Sequence, residues 1–392
     1  MDKAFKIIYG TTPATREQLD AIEEIVVEQE IGRAWEARIK IAVCIGEDGS
    51  WDGENDTAYG EYARVRIEAK IGEGAFVPLI DGTIQHQEPD YNAVPGSSVK
   101  TLVVRDDTIK LHREAASETF PPGQSDSEVA SSLLGAAELG GSVDIDETEG
   151  SPDPDSVVTR HGTRMQLLRE ITTRNPGFHA YVLPGETAGT SDGCFKKLPE
   201  TPDLGLPPMF LTGPDQNISA FRIQENSARA ATVEGAHLSM RNKTVTPVSV
   251  GHADTKPPTG ENATSGTATS VRRRRLPPGI GDHTDLQEAA TGAAQESAFT
   301  LRAEGSVIPA CYGAVLSPYR MVFVSVSNSR YSTNYVIYKV VHTIGVSEYT
   351  QQFTMIGNAV SPEESLSAAA PAAAAAIAGS AAVSFNIQVD IF

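Results

Sequence analysis

The sequence predicts an α+β protein that is mainly β, with two β regions separated by a small α/β module. Apolar and polar residues alternate with a period of two before about residue 115 and again after about residue 205. Between these regions the apolar residues take a helical spacing. Gly, Asp-Gly and Asn-Pro-Gly groups separate the segments, as expected for turns.

The size and charge of the chain limit the classes of protein that it can be. Its 392 residues predict two to three domains, and its 40% hydrophobic content is enough for a sizeable core. Lys and Arg total 32 against 51 for Asp and Glu, which gives a net charge of −19. This charge disfavours binding to nucleic acid or an anionic membrane, and 6% aromatic residues argue against a base-stacking surface.

Cysteines and apolar runs predict a protein made in a reducing compartment. Cys44, Cys194 and Cys311 are widely spaced and form no Cys-x-x-Cys pair, so neither a disulfide framework nor a zinc site is expected. The N-terminal residues lack the apolar run of a signal peptide. The Ala-rich stretch Ala368–Val383 is interrupted by Pro371 and is too weakly hydrophobic to predict a membrane span.

Residues 1–115 predict a small antiparallel barrel or sandwich. Its clearest inward-facing sets are Ala37, Ile39 and Ile41, and Val65, Ile67, Ala69 and Ile71. The charged residues between the members of the second set, Arg64, Arg66 and Glu68, are expected to face solvent. Further along, VPLIDGTIQHQ and SSVKTLVVRDD predict two more strands, and Asp81-Gly82 is a turn candidate in the same passage.

Residues 116–200 predict the α/β module. A first helix has Ser125 and Ser127 as capping candidates and is expected to end at Gly140-Gly141. A second helix has an apolar stripe and ends at Asn175-Pro176-Gly177, before a strand over Phe178–Val182. The stripe consists of Met165, Leu167, Leu168 and Ile171.

The remainder predicts a second β region made of residues 201–250 and 295–361, with an inward-facing set at Val322–Val326. Residues 251–294 are rich in Gly, Pro, Thr, Ser and Ala, and we expect a loop or extended arm there. Residues 362–392 predict an Ala-rich spacer and a terminal β-strand. In that strand, apolar and polar residues alternate over 383–392, so it would pair with another chain or complete a sheet of this one.

Arg272–Arg275, inside the predicted arm, has two interpretations. The first is a solvated charged loop. The second is an arm that grips an acidic partner surface or a neighbouring subunit. Binding to a phosphate backbone is disfavoured, because no aromatic residues lie between the arginines.

No catalytic, cofactor-binding or metal-binding residues are predicted. The sequence contains no dinucleotide-binding, P-loop, zinc-protease or serine-hydrolase motif. Asp144 and Asp146 lie in an acidic run that predicts a solvated loop, whereas a glycosidase needs two carboxylates across a cleft. His161 and His179 flank the second helix without a further ligand at metal-binding spacing. We therefore expect no enzyme and no cofactor.

Three passages, in their order and spacing, resemble one protein family. They are LIDGTIQHQEPDYN followed by VKTLVVRDDTIKLHRE, then HGTRMQLLREITTRNPGFHAYVLPG, and finally YGAVLSPYRMVFVSVSNSRYSTNYVIYKVVHTIGVSEYTQQFTMIGNAV. The family is the baseplate hub proteins of contractile phage tails and contractile injection systems, the late control protein D and VgrG-like group. The resemblance covers most of residues 5–360.

The resemblance implies two tube-type antiparallel β-barrels per chain. Three chains would then form a ring of six barrels that adapts a sixfold inner tube to a threefold spike and lines the channel for DNA or cargo. The implied partners are two further copies, the inner tube protein, a separate spike protein, other baseplate proteins, and tape-measure protein or cargo. The chain would be made in the bacterial cytoplasm and end in a virion tail or injection particle.

Several points stay open in the sequence. The terminal strand, residues 383–392, is a candidate for docking the spike or plugging the channel, because no spike domain follows the second β region. An excess of acidic residues on the channel wall would let DNA slide rather than stick. The alternative functions are a peptidoglycan-degrading tail enzyme and a receptor- or glycan-binding tail module. The first needs an acidic pair in a cleft, and the second usually presents aromatic-rich loops.

Overall fold

The structure is a computed structural model. It describes residues 3–361 apart from 48, 55, 95, 114, 149–157, 227, 229–230, 240–242, 256–258, 261, 264–271, 278–285 and 346–347. The predicted spacer and terminal strand, residues 362–392, therefore lie outside the described residues.

The described part of the chain is mainly β, as predicted. Its strands are β1 (Lys3–Tyr9), β2 (Thr12–Pro13), β3 (Ile22–Glu30), β4 (Glu36–Ala42), β5 (Arg64–Ile71), β6 (Val77–Asp90), β7 (Val99–Asp106), β8 (Ala115–Phe120), β9 (Gly140–Ile145), β10 (Val158–Thr163), β11 (Phe178–Pro184), β12 (Ser191–Lys197), β13 (Met209–Phe210), β14 (Ile218–Glu225), β15 (Ala231–Ser239), β16 (Thr244–Val250), β17 (Asn262–Ala263), β18 (Arg272–Arg275), β19 (Leu301–Val307), β20 (Met321–Ser325), β21 (Thr333–Gly345), β22 (Tyr349–Gly357) and β23 (Ala359–Val360). Its helices are α1 (Arg16–Asp20), α2 (Asp126–Gly135), α3 (Arg164–Arg174) and α4 (Leu286–Ala298).

One 13-stranded sheet contains strands from both predicted β regions. Its order is β14-β19-β22-β21-β3-β4-β7-β6-β5-β1-β2, with β20 beside β21 and β13 beside β20. All neighbours are antiparallel except β13 and β20. The sheet is curled, and the pairing of β3 with β21 joins its two halves.

Each half of the large sheet has its own apolar core. The first core contains both inward-facing sets predicted before residue 115, and Ile39 and Ile67 are fully buried. The second contains Val322 and Val324, which confirms the inward set in β20. Two cores on one sheet are compatible with two barrel units, although the barrel assignment itself stays a prediction.

The predicted Asp81-Gly82 turn is wrong, because both residues lie inside the long strand β6. A Cβ atom on Gly82 would be 1.9 Å from the carbonyl oxygen of Arg105 in β7. This glycine therefore allows a close approach between two backbones rather than a reversal of the chain. The expectation that Arg66 and Glu68 face solvent is also wrong, since the loop after β11 covers them and leaves them 3% and 9% exposed.

The α/β module contains α2, α3 and a sheet of β11, β12 and β9, beside the β8–β10 pair. Ser125 caps α2 and Thr163 caps α3, each in a capping box. Helix α2 ends at Gly135, before the predicted Gly140-Gly141, which instead begins β9. A Cβ atom on Gly141 would be 2.5 Å from the carbonyl oxygen of Ser191, so this glycine serves strand pairing.

A further small unit corrects the interpretation of residues 251–294 as a loop or arm. We call β15, β16, β18 and α4 the arginine unit, because β18 is the run Arg272–Arg275. Its sheet has the order β16-β15-β18, so residues 231–250 do not join the large sheet as predicted. Helix α4 packs on this sheet through Ala289, Ala290, Ala293 and Ala294. Small side chains at helical spacing give this segment a core despite its low complexity.

Candidate functional site

The seam between β3 and β21 contains a buried chain of hydrogen bonds. The hydroxyl of Tyr349 lies 2.8 Å from Nδ1 of His342, and Nε2 of His342 lies 3.1 Å from Oε1 of Gln29. The amide nitrogen of Gln29 donates to the carbonyl oxygen of Leu79 at 2.7 Å. Because the glutamine donates onward, the histidine donates from Nε2 and accepts at Nδ1. We call this arrangement the seam relay.

The seam relay is electrically neutral. His342 is 0% exposed and Gln29 is 1% exposed. Burial lowers the pKa of His342 to about 3, because an imidazolium ion would lose its hydration there. Both residues stand at inward positions of alternating strands, among Ile25, Val27 and Val340. The sequence contained a signal for this relay: Gln29 and His342 are polar residues at positions of their strands where the alternation predicts an inward-facing apolar residue.

A second buried network joins the first β region to the α/β module. Arg64 donates to both oxygens of Asp107 at 2.9 Å, and from Nε to Asp81 at 2.7 Å. Arg66 donates to the other oxygen of Asp81 at 3.0 Å. Asp81 and Asp107 are 1% and 0% exposed. We call these four residues the ionic clamp.

The ionic clamp holds the loop between β11 and β12. The guanidinium of Arg66 donates to the carbonyl oxygen of Gly185 at 2.8 Å, and the N–H of Gly189 donates to Asp81 at 2.9 Å. The hydroxyl of Ser191 donates to the carboxylate of Asp107 at 2.9 Å. Hydrogen bonds to charged groups are the strong ones, so the module is fixed on the first β region.

The same module also touches the second β region. The rings of Tyr181 and Tyr319 stack with centroids 3.6 Å apart and planes inclined by 7°. The N–H of Gly32, which follows β3, donates to the hydroxyl of Tyr319 at 3.0 Å. The module therefore bridges the two halves of the large sheet near the seam and limits their relative movement.

Both ends of the large sheet are open within the described residues. At one end, β14 pairs with β19 on one side and with no described strand on the other. At the other end, β2 pairs with β1 at Ile8 and Tyr9, and the N–H of Ala14 donates to the carbonyl oxygen of Ile7 at 2.9 Å. The outer edge of Lys3–Lys6 is therefore the part that no described strand pairs with. An open edge is a template for pairing with another chain.

The polar face of the central strands carries both signs of charge. Lys40 lies 2.8 Å from Glu23, and Lys339 lies 2.6 Å from Glu28. Arg105 likewise lies 2.6 Å from a carboxylate of β4. The predicted acidic channel wall stays a prediction. The polar face of these strands carries interleaved ion pairs rather than a uniform acidic surface.

An apolar patch lies on two loops at the end of the first β region. Trp51 and Tyr91 stack with centroids 4.4 Å apart. Ile45 and Val94 beside them are 59% and 61% exposed. Acidic residues are close to the four in the sequence: Glu47, Asp52 and Glu54 in the first loop, and Asp90 at the end of β6. We call Trp51, Tyr91, Ile45 and Val94 the tip patch. Trp51 is partly exposed and Tyr91 is exposed, and aromatic side chains at a surface are typical of protein contacts.

Asp144 and Asp146 do not have the arrangement of a glycosidase carboxylate pair. Asp144 lies in strand β9 rather than in the predicted loop, and its carboxylate is 2.8 Å from Nζ of Lys196. Asp146 accepts a hydrogen bond from the backbone N–H of Lys197 at 2.9 Å. Each carboxylate is thus paired with a group on β12, and the side chain of Asp144 is mostly exposed. The two carboxylates therefore do not face each other across a cleft.

The two histidines occupy different environments. His161 is exposed in β10, whereas the Nε2 atom of His179 in β11 is shielded from solvent and has no hydrogen-bond partner among the described residues. Burial lowers the pKa of His179. In the described part of the chain, no three His, Cys, Asp or Glu side chains are arranged to hold a metal ion, and no helix is long and apolar enough to cross a bilayer.

Solved structures share this arrangement of strands. The 43 kDa tail protein of prophage MuSo2 from Shewanella oneidensis matches with a TM-score of 0.59 and 13% identity, over 90% of this chain and 97% of that one. A tail protein from Neisseria meningitidis matches with a TM-score of 0.58 and 14% identity, over 91% and 97% of the two chains. The chain has the fold of phage tail proteins.

A secretion-system protein shares the tail-protein fold as well. The c3393 protein of E. coli, a component of the type VI secretion system, matches with a TM-score of 0.51 and 9% identity, over 87% of this chain and 76% of that one. No protein-family model and no curated protein matches the sequence. The resemblance seen in the three sequence passages is thus confirmed at the level of the fold.

Proposed function

We propose that this chain is a structural hub of a contractile tail or injection system and acts as a homotrimer. Three copies would form a ring that adapts a sixfold inner tube to a threefold spike and surrounds the channel for DNA or cargo. The observation that supports this most directly is the large sheet, which contains two cores and ends in an open edge on each side within the described residues.

The two open edges suggest how the ring closes. If β14 of one copy pairs with β1 of the next, the contact is head-to-tail, and such contacts generate a ring when the rotation closes. Three large sheets would then form one continuous wall. The tip patch would contact a neighbouring assembly protein with a basic rim, such as a tube or baseplate component, because its aromatic pair lies in segments of the sequence that are rich in acidic residues.

The β14 edge offers a direct test of the ring. The backbone N–H of Asn226 donates to the carbonyl oxygen of Thr300 at 2.8 Å. Backbone N–H groups point alternately to the two sides of an antiparallel strand, so the N–H of Gln224 also points toward β19 and the N–H of Ile223 points away from it. An Ile223→Pro substitution removes that outward donor and is compatible with an edge strand. We expect Ile223→Pro to fold but to lose the trimer in sedimentation velocity.

The matched control is Ile223→Val, which keeps the donor and nearly the same side chain. It should retain the trimer and the threefold ring seen by electron microscopy with tube and spike proteins present. A wild-type protein that forms no threefold ring under those conditions contradicts the proposal. A ring that persists in Ile223→Pro contradicts the β14 contact alone.

A receptor- or glycan-binding tail module is the second candidate function, because the tip patch presents a stacked aromatic pair in exposed loops. This function predicts that Trp51→Ala abolishes binding on a glycan array and leaves the oligomeric state unchanged. The hub function predicts no glycan binding by the wild-type protein.

A further inference from the structure

A cavity of about 420 Å³ lies where the α/β module, the arginine unit and the large sheet meet. Its volume is within the range of small-molecule sites, about 300–1,000 Å³. One wall of the cavity is apolar and is formed by residues of the large sheet and of the segments that pack beside it. This apolar wall contains Ile31, Leu198, Phe299, Tyr338 and Ile356.

The arginine unit provides a polar wall opposite. Successive side chains of a strand point to opposite faces, so Arg272–Arg275 divides into two pairs. Arg272 and Arg274 line the cavity. Arg273 and Arg275 face the other way and lie 3.5 Å and 3.9 Å from the carboxylate of Glu234.

The polar wall has more positive than negative charge. Among the described residues that line the cavity, Glu296 carries the one carboxylate. The Oε1 atom of Glu296 accepts a hydrogen bond from the N–H of Gly177 at 3.0 Å. The other oxygen of Glu296 lies 3.8 Å from Arg274. Within the part of the chain that the structure describes, Arg272 forms no ion pair, so its guanidinium has no counter-charge among these residues.

His179 lines the same cavity. Its Nε2 atom is shielded from solvent and lacks a hydrogen-bond partner among the described residues. Buried polar atoms are almost always paired, so an unpaired one beside a cavity points to a ligand that pairs with it. In the Nε2–H tautomer this histidine donates toward an acceptor, as the two arginines do.

We propose that this cavity binds a small carboxylate that carries an apolar chain. The carboxylate accepts hydrogen bonds from Arg272, Arg274 and Nε2 of His179, and the chain packs against the apolar wall. Such a ligand contacts all three parts of the protein and holds them together. This binding site is independent of the proposed hub function.

Isothermal titration with hexanoate tests the proposal on the full chain. We expect saturable binding with a Kd of about 1 mM or tighter, the range that a small ligand with one strong polar contact and a short chain reaches. Hexanol lacks the charge and inorganic phosphate lacks the chain, so each should bind at least about tenfold more weakly. No saturable binding of hexanoate below about 10 mM overturns the proposal.

The alternation of the arginines supplies matched variants. Arg272→Gln/Arg274→Gln should weaken hexanoate binding at least about tenfold, which removal of two charge-assisted contacts predicts. Arg273→Gln/Arg275→Gln removes the same charge from the opposite face and should leave the Kd within about twofold of wild type. Equal loss in both double variants shows attraction by net charge alone and overturns the site. His179→Phe, which keeps a ring but removes both nitrogens, should also weaken binding.

Discussion

The two buried polar junctions of this protein differ in kind. The ionic clamp joins the first β region to the α/β module through two arginines and two carboxylates that are hardly exposed. The seam relay joins the two halves of the large sheet through neutral hydrogen bonds between Tyr349, His342 and Gln29. A buried ion needs its counter-ion, whereas a neutral relay loses one hydrogen bond at a time, so the clamp is the more vulnerable junction.

The largest predicted effect is that of Asp81→Ala in the clamp. This substitution removes the carboxylate that Arg64 and Arg66 share and leaves two guanidinium groups short of a partner. We expect the free energy of unfolding to fall by about 3–5 kcal/mol. Urea denaturation followed by circular dichroism measures it. A loss below about 1 kcal/mol means that water replaces the carboxylate and that the clamp is not a closed junction.

A smaller loss is expected at the seam. His342→Leu keeps a similar volume but leaves the hydroxyl of Tyr349 and the amide of Gln29 without their central partner. We expect about 2–3 kcal/mol of destabilisation in the same denaturation experiment. Adding Gln29→Leu should cost less than the sum of the single variants, because both remove one network. Strict additivity of the two variants argues against a connected relay.

The pH dependence of stability tests the neutrality of the relay. The pKa of His342 falls from 6.5 to about 3 on folding, so between these values the unfolded chain binds more protons. Stability therefore decreases as the pH falls from 6.5 toward 3, with a slope of up to about 1.4 kcal/mol per pH unit. His342→Leu should remove this contribution. Identical pH profiles for variant and wild type would show that the histidine is charged or hydrated in the folded state.

Asp106 acts in the opposite direction and makes the variant comparison necessary. Burial raises the pKa of Asp106 from 3.8 to about 7, so the folded protein binds more protons between these values. Its contribution to stability is present at low pH and is lost as the pH rises through 7. Subtracting the His342→Leu profile from that of wild type isolates the histidine.

The smallest effect belongs to an exposed pair and sets the scale for the others. Glu23→Gln removes the partner of Lys40, and both side chains are about two-fifths exposed. We expect only a small shift in the midpoint of urea denaturation, because solvent screens an exposed pair. A larger change would mean that surface pairs on the central strands matter as much as the clamp.

Alternation and capping made much of the fold predictable from the sequence. The alternation of apolar and polar residues was enough to predict the inward sets around Ile39 and Ile67. Ser125, one of two capping candidates, is the residue that caps α2. What could not be predicted depends on distant contacts. Gly82 resembles a turn residue until β7 is placed against it, and Arg66 resembles a surface residue until the loop after β11 covers it.

The arginine unit and the seam relay show two further limits. Helix α4 has alanines at helical spacing within a low-complexity stretch. The prediction of a loop or arm there was based on the composition of the stretch and did not use that spacing. His342 stood in the inward phase of an apolar strand, but its partner Gln29 is 313 positions away in the sequence. Nothing local links them. The candidate site in the cavity depends on the same kind of distant meeting, between β11, β18 and α4.

The pairing of β3 with β21 has a consequence for synthesis. A ribosome adds about 5–20 residues per second, so the outer edge of β3 waits roughly 15–60 s for its partner to emerge. During that time the backbone of β3, with Ile25 and Val27 on its inward face, is open to pairing with other nascent chains.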